Sequence, residues 1–527
     1  MAKKINKIVI VGGGSSGWMS ASTLIHQFPE MDITLIESAN IKTVGVGEST
    51  IAGINNWMNL IGVKDEDFMK ETDASYKLSI KFTDFYKKGA GSFHYPFGEV
   101  NLFGNRADKN DWYFKKFLYP ETPVGDYACS LYPHMGLILQ NKLTKNKDEK
   151  IPGFVFERDT AYHFDATKFG LWLKDRYALP KGVKHLLGDV NGAALGENGI
   201  EYLTLTTGEE IRADLFIDCT GFKSALLGGY MNEPFDDYTD ILPNNSAWAT
   251  RIAYTDKEKQ LEGYTNCTAI GNGWVWNIPL WSRIGTGYVF SDKYISDEDA
   301  LEEFKQYLTS IGHNTEGLEF NKIKMRVGIH RRLWVKNVCA IGLSAGFIEP
   351  LESTGLYTVH EFLLKLVRVL AKDGAVNQQD KHGFSLSCIR QFRNLAEFVA
   401  MHYAYSRRDD TEYWKDISNR DFNFPPLPDM YQPHFSVMNM TINQQMTEYH
   451  YTNNLQGIHC ILTGLNHFPT DAPSLVACNF PMMDKQKALE SMRPAVDHII
   501  SKAVYWNSLA EDEKSLHDFL RDNIYKE

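Results

Sequence analysis

The chain has 527 residues, enough for two or three lobes that each bury a hydrophobic core. Hydrophobic residues make up 43% and charged residues 23%, and the sequence contains no apolar run of transmembrane length. The net charge of −11, with no basic block, argues against nucleic acid or a membrane surface as a partner. The seven cysteines form no CxxC pair, so we expect no bound metal and no disulfide framework, and we predict a cytoplasmic protein.

Residues 5–37 have the pattern of a nucleotide-binding β–α–β unit. The short apolar run Ile5–Ile10 predicts a first strand rather than a signal peptide, and DITLIES predicts a second strand that ends in Glu37. The intervening GGGSSG turn opens a predicted helix that would present free N–H groups to phosphates. A tight turn without a ligand is the simpler alternative, but strand, helix and acid together favour nucleotide binding. The predicted contacts are Gly12, Gly14, Ser15, Ser16, Gly17 and Glu37.

Later glycine-rich segments favour FAD over a nicotinamide cofactor. VGVGEST (44–50), IDCTGF (217–222) and NVCAIGLSAGF (337–347) each suggest a further return of the chain to a long cofactor. The sequence has no second GxGxxG for a nicotinamide, so we expect the reducing equivalents to come from outside. Asp218 is compatible with either a cofactor contact or a structural carboxylate. The further cofactor candidates are Val46, Gly47, Glu48, Ser49, Thr50, Val190, Asp218, Leu343 and Leu356.

Two segments have the period of a β-strand. Residues 75–86 alternate apolar and polar side chains, which predicts a half-buried strand with Lys77 on the polar face, where a solvated lysine is the default. GWVWNIP (273–279) places Trp274, Trp276 and Ile278 on one face and ends the ladder at Pro279. Periodicity alone favours ordinary sheet packing for the two tryptophans.

The segment GFIEPLESTG (346–355) precedes a predicted helix with an apolar stripe that ends near residue 374. Ser353 or Thr354 is the expected N-cap, and Gly355 would leave the first N–H groups uncovered, which makes an anion site. An ordinary helix cap explains these residues equally well. Glu352 would repel an anion there unless a cation faces it.

Taken together, these motifs resemble the flavin-dependent halogenases, the group that includes the tryptophan halogenases. GWVWNIP matches the family motif GWxWxIP, and FIEPLESTG matches its Fx.Px.Sx.G pattern. GVGEST, SYKLSIKF, YHFDA, DCTGF and HYAYSRRDDTEYW follow in the expected order, over about residues 5–420. The resemblance implies an α/β fold: a flavin-monooxygenase-like FAD module with mixed β-sheets over 1–375, and a mainly helical substrate-side region over 376–527.

The resemblance also implies a two-component enzyme. A separate reductase would deliver reduced FAD by diffusion, and FAD, dioxygen and chloride, bromide or iodide would give hypohalous acid. Thr354 and Gly355 would bind the halide, and Lys77 and Glu352 would direct the acid to an electron-rich aromatic such as an indole. Trp274, Trp276, Ile278, Pro279 and Ser353 would form the wall between flavin and substrate. The sequence does not determine which halide is used, which ring position is halogenated or whether the protein forms a homo-oligomer.

The substrate is less well defined by the sequence. Phe97 resembles a pocket aromatic of the tryptophan halogenases, and we group Tyr95 and His94 with it. EYHY (448–451) is a loose match to residues that grip free tryptophan. A flavin-dependent aromatic hydroxylase is the nearest alternative, although Gly342-Leu343-Ser344 replaces the Gly-Asp-Ala of many hydroxylases. A non-catalytic flavin-binding protein would not need both Lys77 and Glu352.

Overall fold

A computed structural model describes residues 3–40, 47–100, 109–372, 375–420, 422, 424–425, 456–468 and 471–526. Its first sheet is the predicted nucleotide-binding sheet. Five neighbouring strands run parallel and an edge strand runs antiparallel to them. In spatial order the strands are Lys184–Leu187, Asp32–Glu37, Lys7–Val11, Leu215–Asp218, Val338–Ala340 and Trp334–Val335. The predicted opening unit is confirmed, with its helix over Ser15–Gln27.

A seven-stranded sheet carries the double-tryptophan motif. Its neighbouring strands are antiparallel except for one internal pair, Tyr264–Ile270 with Ser79–Thr83, which is parallel. Its order is Asn321–Lys324, Ser246–Ile252, Ile284–Phe290, Gly273–Pro279, Tyr264–Ile270, Ser79–Thr83 and Ser92–Pro96. The predicted alternation is confirmed: Trp274, Trp276 and Ile278 belong to the main hydrophobic cluster, and Val275 belongs to a second cluster on the opposite face.

The predicted half-buried strand over 75–86 is wrong in two respects. It is divided at Leu78 into Ser75–Lys77, which joins a small sheet, and Ser79–Thr83, which joins the large one. Its polar face is also buried, and Ser75, Lys77 and Ser79 are fully inaccessible to solvent. In the small sheet, Ser75–Lys77 pairs with Ala161–Asp165, which pairs in turn with Gly47–Ser49. The strand period therefore does not distinguish an exposed polar face from a buried one.

The remaining strands are short. Two further three-stranded sheets and two strand pairs comprise Val190–Gly196, Gly199–Leu205 and Glu210–Ile211; Phe235–Asp237, Gly328–His330 and Gly346–Phe347; Lys3–Lys4 with Ala375–Val376; and Lys142–Leu143 with Lys514–Ser515.

Helices cover the sheets and dominate the C-terminal part. Those before residue 375 are Ser15–Gln27, Ile54–Ile61, Asp65–Phe68, Lys109–Leu118, Asp126–Leu131, Met135–Leu139, Phe156–Asp159, Ala166–Trp172, Lys257–Gln260, Asp297–Ser310 and Gly355–Leu370. Those after it are Gln378–Ala404, Glu412–Ile417, Gln456–Gly464, Ala472–Asn479, Lys485–Ser491, Arg493–Leu509 and Leu516–Leu520. Short 3-10 or π turns occur at Leu173–Ala178, Gly221–Lys223, Ala225–Tyr230, Gly342–Ser344, Pro350–Glu352 and Arg521–Tyr525.

The segments on either side of residue 375 are joined by strand pairing and by packing. Ala375–Val376 pairs with Lys3–Lys4, and the late helix Arg493–Leu509 packs against Lys109–Leu118. One hydrophobic cluster contains residues from both segments. The boundary expected at residue 375 therefore separates a part with most of the strands from a mainly helical part, but it does not separate two hydrophobic cores. Within the described ranges, no helix combines the length and apolarity needed to cross a membrane.

Candidate active site

The main cavity, of about 940 Å³, opens where the first glycine turn meets the ends of the parallel strands. Gly12 has a positive φ of 116°, and a Cβ there would lie 2.2 Å from the carbonyl oxygen of Cys219. A Cβ on Gly13 would lie 1.7 Å from Oε2 of Glu37, and one on Gly17 would lie 1.8 Å from the carbonyl oxygen of Gly12. The turn therefore holds a bare backbone against the cavity, at the N-terminus of a helix, as a pyrophosphate site requires.

Most of the predicted cofactor residues line the main cavity. They are Gly12, Gly14, Ser15, Ser16, Glu37, Glu48, Ser49, Val190, Leu343 and Leu356. Gly17 lies behind the turn and takes the predicted role of close packing between helix and strand. Gly47 begins the strand Gly47–Ser49, and Val46 lies outside the described residues.

Asp218 is better explained by its structural alternative than by a cofactor contact. Its Oδ1 accepts hydrogen bonds from Thr220, and its Oδ2 accepts 2.8 Å bonds from the backbone N–H groups of Leu226 and Leu227. The carboxylate is fully buried and absent from the cavity lining. Its position at the end of a strand suggested a cofactor contact, but the carboxylate instead holds the turn that follows this strand.

Two acids on the cavity wall have different surroundings. Oε1 of Glu37 lies 2.9 Å from Nζ of Lys174 and 2.8 Å from Nε2 of His185, so its charge is compensated. Among the residues that the structure describes, no such cation pairs with Glu48, and its burial, with Asp165 nearby, raises its pKa to about 7.

The turn and the helix start predicted around Ser353 and Thr354 are present. Pro350–Glu352 forms one 3-10 turn, Ser353 takes a left-handed conformation with φ of 56°, and Gly355–Leu370 is helical. Thr354 occupies the N-cap position, but its side chain makes no capping hydrogen bond. Among the described residues, the backbone N–H groups of Thr354 and Gly355 have no acceptor. Both residues line the main cavity, and a Cβ built on Gly355 meets nothing within 4 Å. These two donors suit an anion.

Lys77 is fully buried rather than solvated. Its Nζ donates hydrogen bonds to Oγ of Ser49 at 2.8 Å, to the carbonyl oxygen of Thr50 at 2.9 Å and to Oγ of Ser353 at 2.9 Å. Burial lowers the pKa of Lys77 to about 7, and the nearby Cys267 and Glu352 partly oppose this effect. The amine can therefore lose its proton close to neutrality.

Ser49 and Ser353 separate Lys77 from the main cavity. Both serines line the cavity, Lys77 does not, and the two hydroxyls also bond each other at 3.0 Å. Nζ of Lys77 also lies 5.1 Å from the centre of the Phe97 ring, which is absent from the cavity lining. Lys77 thus lies between the cavity and the aromatic residue expected at the substrate site.

Glu352 does not form an ion pair with Lys77. Its Oε1 lies 2.8 Å from Nε2 of His402, and both side chains are buried. His402 is therefore the basic side chain that contacts this carboxylate. Sequence reasoning did not select His402, although it lies in the HYAYSRRDDTEYW segment.

The two tryptophans contribute differently to the wall. Trp276 and Ile278 line the main cavity together with Ser353, whereas Trp274 and Pro279 are absent from its lining. The indole Nε1 of Trp274 donates to Oε2 of Glu349 at 2.8 Å. The Nε1 of Trp276 has no partner among the described residues.

Only part of the expected substrate pocket shares one face. Tyr95 lies beside Phe97, with ring centres 6.4 Å apart. His94 points to the opposite face of the strand, where it contacts Ser79 at 3.0 Å and the Tyr264 ring. Grouping His94 with the other two is therefore wrong, because neighbouring strand residues face opposite sides. The EYHY segment lies outside the described residues.

The fold and the site are those expected of a flavin-dependent enzyme, with a buried lysine next to the wall of the main cavity. The family model of the tryptophan halogenases matches residues 7–478. The chain belongs to the tryptophan halogenase family, and its fold is that of the flavin-dependent halogenases.

Individual relatives agree with this assignment. Tryptophan 7-halogenase RebH from Lentzea aerocolonigenes is 32% identical over 550 residues, which cover 99% of both chains. The apo structure of VirX1 is 40% identical with a TM-score of 0.88, covering 99% of this chain and 100% of that one. Tar14, a tryptophan C-6 flavin-dependent halogenase from taromycin biosynthesis, is 30% identical with a TM-score of 0.81, covering 98% and 99%.

Proposed function

We propose that this chain uses reduced FAD, dioxygen and a halide to form hypohalous acid, and that Lys77 directs this acid to an electron-rich aromatic such as an indole. The observation that carries the proposal is the placement of Lys77 between the main cavity and Phe97. RebH and Tar14 are named for acting on tryptophan. Free tryptophan is one of the aromatic compounds to test as a substrate of this chain.

The main cavity fits FAD. Its glycine turn has no room for side chains, and Glu37 stands at the end of the second strand where a ribose would lie. When bound in reduced form, FAD supplies the electrons with which dioxygen becomes able to oxidise a halide. We expect a separate reductase to deliver reduced FAD by diffusion, since the sequence has no second GxGxxG motif.

The anion turn supplies the halide site. The Thr354 and Gly355 N–H groups donate to the anion at the cavity surface, where the N-terminus of the following helix favours negative charge. Trp276 and Ile278 line the same cavity with apolar surface and keep organic molecules away from its reactive end.

Lys77 and Glu352 then act on the hypohalous acid and the ring. The ammonium of Lys77 hydrogen-bonds to the hypohalous oxygen and gives it a proton as the halogen is transferred to a ring carbon, so that water leaves. The ring C–H bond breaks, and its proton passes to Glu352 and then back to Lys77. Overall, an aromatic C–H and hypohalous acid give an aromatic carbon–halogen bond and water.

The test compares Lys77→Ala with Lys81→Ala, a lysine on the neighbouring strand that lies over the ring of Tyr264. Each protein receives reduced FAD, dioxygen, bromide and an indole, and the products are identified by mass. We expect bromoindole from the wild type and Lys81→Ala, and a loss of at least about 100-fold in Lys77→Ala with FAD binding and peroxide release retained.

Three results would overturn the proposal. Hydroxyindole as the wild-type product would identify a hydroxylase. Neither product from any aromatic tried would favour a non-catalytic flavin-binding protein. Undiminished bromination by Lys77→Ala would remove the role of the lysine.

A further inference from the structure

A chain of hydrogen bonds joins Lys77 to His163, the histidine of the YHFDA segment. Ser49 accepts a bond from Nζ of Lys77, and its Oγ lies 2.6 Å from Oγ1 of Thr265. Oγ1 of Thr265 lies 2.9 Å from Nε2 of His163. All four side chains are buried, and Lys77 and His163 are fully inaccessible to solvent. The chain therefore connects the three strands of the small sheet with one strand of the large sheet.

The donors at the lysine end fix the direction of these hydrogen bonds. An ammonium only donates, so Ser49 accepts from Lys77, and it also accepts from the hydroxyl of Ser353 at 3.0 Å. The hydroxyl hydrogen of Ser49 is then left for Thr265. Thr265 accepts this bond and donates its own hydrogen to Nε2 of His163. Nε2 is therefore an acceptor, and a neutral ring carries its proton on Nδ1.

The surroundings of His163 lead to the same direction from the other end. Its Nδ1 lies 3.4 Å from Oγ of Ser75, whose own hydrogen is donated to the carbonyl oxygen of Pro279 at 2.6 Å. Nδ1 therefore meets an oxygen that can only accept from it. Burial and the nearby Lys77 lower the pKa of His163 well below its ordinary value, and a hydrogen bond with the backbone of Pro279 opposes them only in part. The ring is therefore neutral near pH 7.

All three hydrogens of the Lys77 ammonium consequently meet acceptors. They go to Oγ of Ser49, the carbonyl oxygen of Thr50 and Oγ of Ser353. A carbonyl oxygen always accepts, whereas a hydroxyl can turn and offer its hydrogen to the lone pair of a neutral amine. Thr265 prevents this turn, because it holds the hydrogen of Ser49. The chain of hydroxyls therefore favours the ammonium over the amine.

The titratable groups that face Lys77 come from three other elements. Glu352 lies on the 3-10 turn and favours the ammonium. Cys267 lies on the same strand as Thr265, and burial raises the pKa of its thiol. His163 is the third and is neutral, as argued above. Replacing Thr265 changes none of these groups, so a response of Lys77 to that replacement comes through the hydrogen bonds.

We propose that Thr265 and His163 are positioning residues for Lys77, and that they act through Ser49 to keep the lysine in its ammonium form. The proposed halogenation needs this form, because the ammonium donates to the hypohalous oxygen. Burial brings the pKa of Lys77 down to about 7, so near neutrality a small preference decides which form predominates. The role in the reaction rests on the proposed halogenation, whereas the direction of the hydrogen bonds does not.

The direction of the chain can be observed without cofactor, halide or substrate. In protein labelled with ¹⁵N-histidine, the nitrogen chemical shifts distinguish a protonated ring nitrogen from a bare one. We expect His163, assigned by comparison with His163→Phe, to be neutral at pH 7 with its proton on Nδ1. A proton on Nε2, or an imidazolium, would overturn the chain.

Thr265→Val tests the link to the lysine, because it removes the hydroxyl and keeps the shape of the side chain. Lys77 is followed by NMR of ¹³Cε-labelled lysine and assigned by comparison with Lys77→Met. We expect its titration midpoint to fall by about half a pH unit or more in Thr265→Val. Thr265→Ser restores a hydroxyl and should restore the wild-type midpoint.

The matched control is Thr250→Val. Thr250 is a buried threonine on another strand of the large sheet, and its Oγ1 donates to the carbonyl oxygen of Glu319 at 2.8 Å. The substitution removes a comparable hydroxyl outside the chain and should leave the midpoint of Lys77 unchanged.

The pH dependence of bromination tests the role in the reaction. An ammonium that must donate a proton fails as the pH rises through its pKa, so kcat of the wild type should fall above about pH 7. In Thr265→Val the fall should begin at lower pH, with kcat reduced about threefold at pH 8 and little changed at pH 6. His163→Phe should have the same effect, and the double variant should be no worse than either single one. Because Thr265 lines the main cavity, the rates are compared at saturating FAD.

These measurements separate the two proposals. A Lys77 midpoint that Thr265→Val leaves unmoved, or that Thr250→Val moves equally, would overturn the positioning role. Weaker FAD binding by Thr265→Val with an unchanged kcat–pH profile would also overturn it and would make Thr265 a cofactor contact. A wild-type protein with the expected His163 proton and Lys77 response that halogenates nothing would overturn the proposed function while the chain of hydrogen bonds stands.

Discussion

The indole N–H of Trp274 donates a 2.8 Å hydrogen bond to Oε2 of Glu349, which joins the large sheet to the segment that begins the anion turn. The same carboxylate oxygen accepts hydrogen bonds from Asn244 at 2.7 Å and from Tyr403 at 2.8 Å. Glu349 is completely buried. The first tryptophan of the GWVWNIP motif therefore has a polar task, to satisfy a buried acid, in addition to its packing.

This difference between the two tryptophans predicts unequal effects of the same substitution. Trp274→Phe removes one of three donors from a buried carboxyl group, and we expect it to lower the free energy of unfolding by about 1.5–3 kcal/mol. Trp276→Phe removes no hydrogen bond and should cost less. Urea unfolding of both variants, followed by fluorescence, measures the difference.

Both tryptophan variants should still halogenate, because our proposal gives Trp276 only an excluding role on the cavity lining and Trp274 does not line the cavity. A larger loss of stability in Trp276→Phe than in Trp274→Phe would contradict the hydrogen-bond argument. Complete loss of halogenation in either folded variant would contradict the role of the wall.

Gly355→Ala separates anion binding from folding. Its Cβ would enter open space at the N–H groups of the anion turn, and alanine is favoured over glycine in a helix by up to about 1 kcal/mol. We expect an equal or higher melting temperature, unchanged FAD binding and a bromide KM raised about tenfold.

The matched control is Gly383→Ala. Gly383 is an exposed glycine within the helix Gln378–Ala404, and a Cβ there also meets nothing within 4 Å. It should stabilise the protein and leave bromide KM unchanged. Equal bromide KM values in the two variants would argue against an anion site at Gly355.

The sequence predicted the parts of the site that depend on local backbone geometry. The glycine turn at Gly12 and the helix start after Thr354 follow from steric limits and from the need to satisfy helix ends, and both are encoded within a few residues. The alternation of Trp274 and Trp276 follows from the strand period in the same way.

Contacts between distant segments could not be predicted in this way. Lys77 has the sequence position of a solvated lysine, and its buried Nζ is bonded by Ser49 and Ser353, which are distant from it in the chain. His402 meets Glu352 across 50 residues of chain through the packing of the helix Gln378–Ala404. The role of Asp218 could not be decided from the sequence, because the backbone N–H groups that donate to its carboxylate lie eight and nine residues further along the chain.

The lowered pKa of Lys77 gives stability a definite pH dependence. Below about pH 7 the lysine is protonated in both folded and unfolded chains, and the folded chain bears the full cost of burying the charge. Between about 7 and the ordinary value of 10.5, the folded chain has lost the proton while the unfolded chain keeps it. Raising the pH through this window therefore favours folding, by about 1.4 kcal/mol for each pH unit crossed.

Lys77→Met provides the comparison, because methionine is apolar and does not titrate. We expect the stability of the wild type relative to Lys77→Met to rise by a few kcal/mol from neutrality to about pH 10, as measured by urea unfolding at several pH values. Parallel pH dependence of the two proteins would show that Lys77 keeps its ordinary pKa.

We expect Glu48 to make FAD binding weaker as the pH rises. Burial raises the pKa of this carboxyl to about 7, so below that pH it is neutral on the wall of the main cavity. Above it, the carboxylate faces a cavity that we propose binds the anionic phosphates of FAD. We therefore expect FAD affinity to fall several-fold as pH rises from about 6 to about 8, and Glu48→Gln to remove most of this fall. Titration of FAD by fluorescence quenching measures both.

The matched control is Glu298→Gln. Glu298 is an exposed acid on the helix Asp297–Ser310, so this variant removes the same charge and should keep the wild-type profile. If Glu48→Gln and Glu298→Gln gave the same pH profile, the charge of Glu48 would have no part in binding FAD.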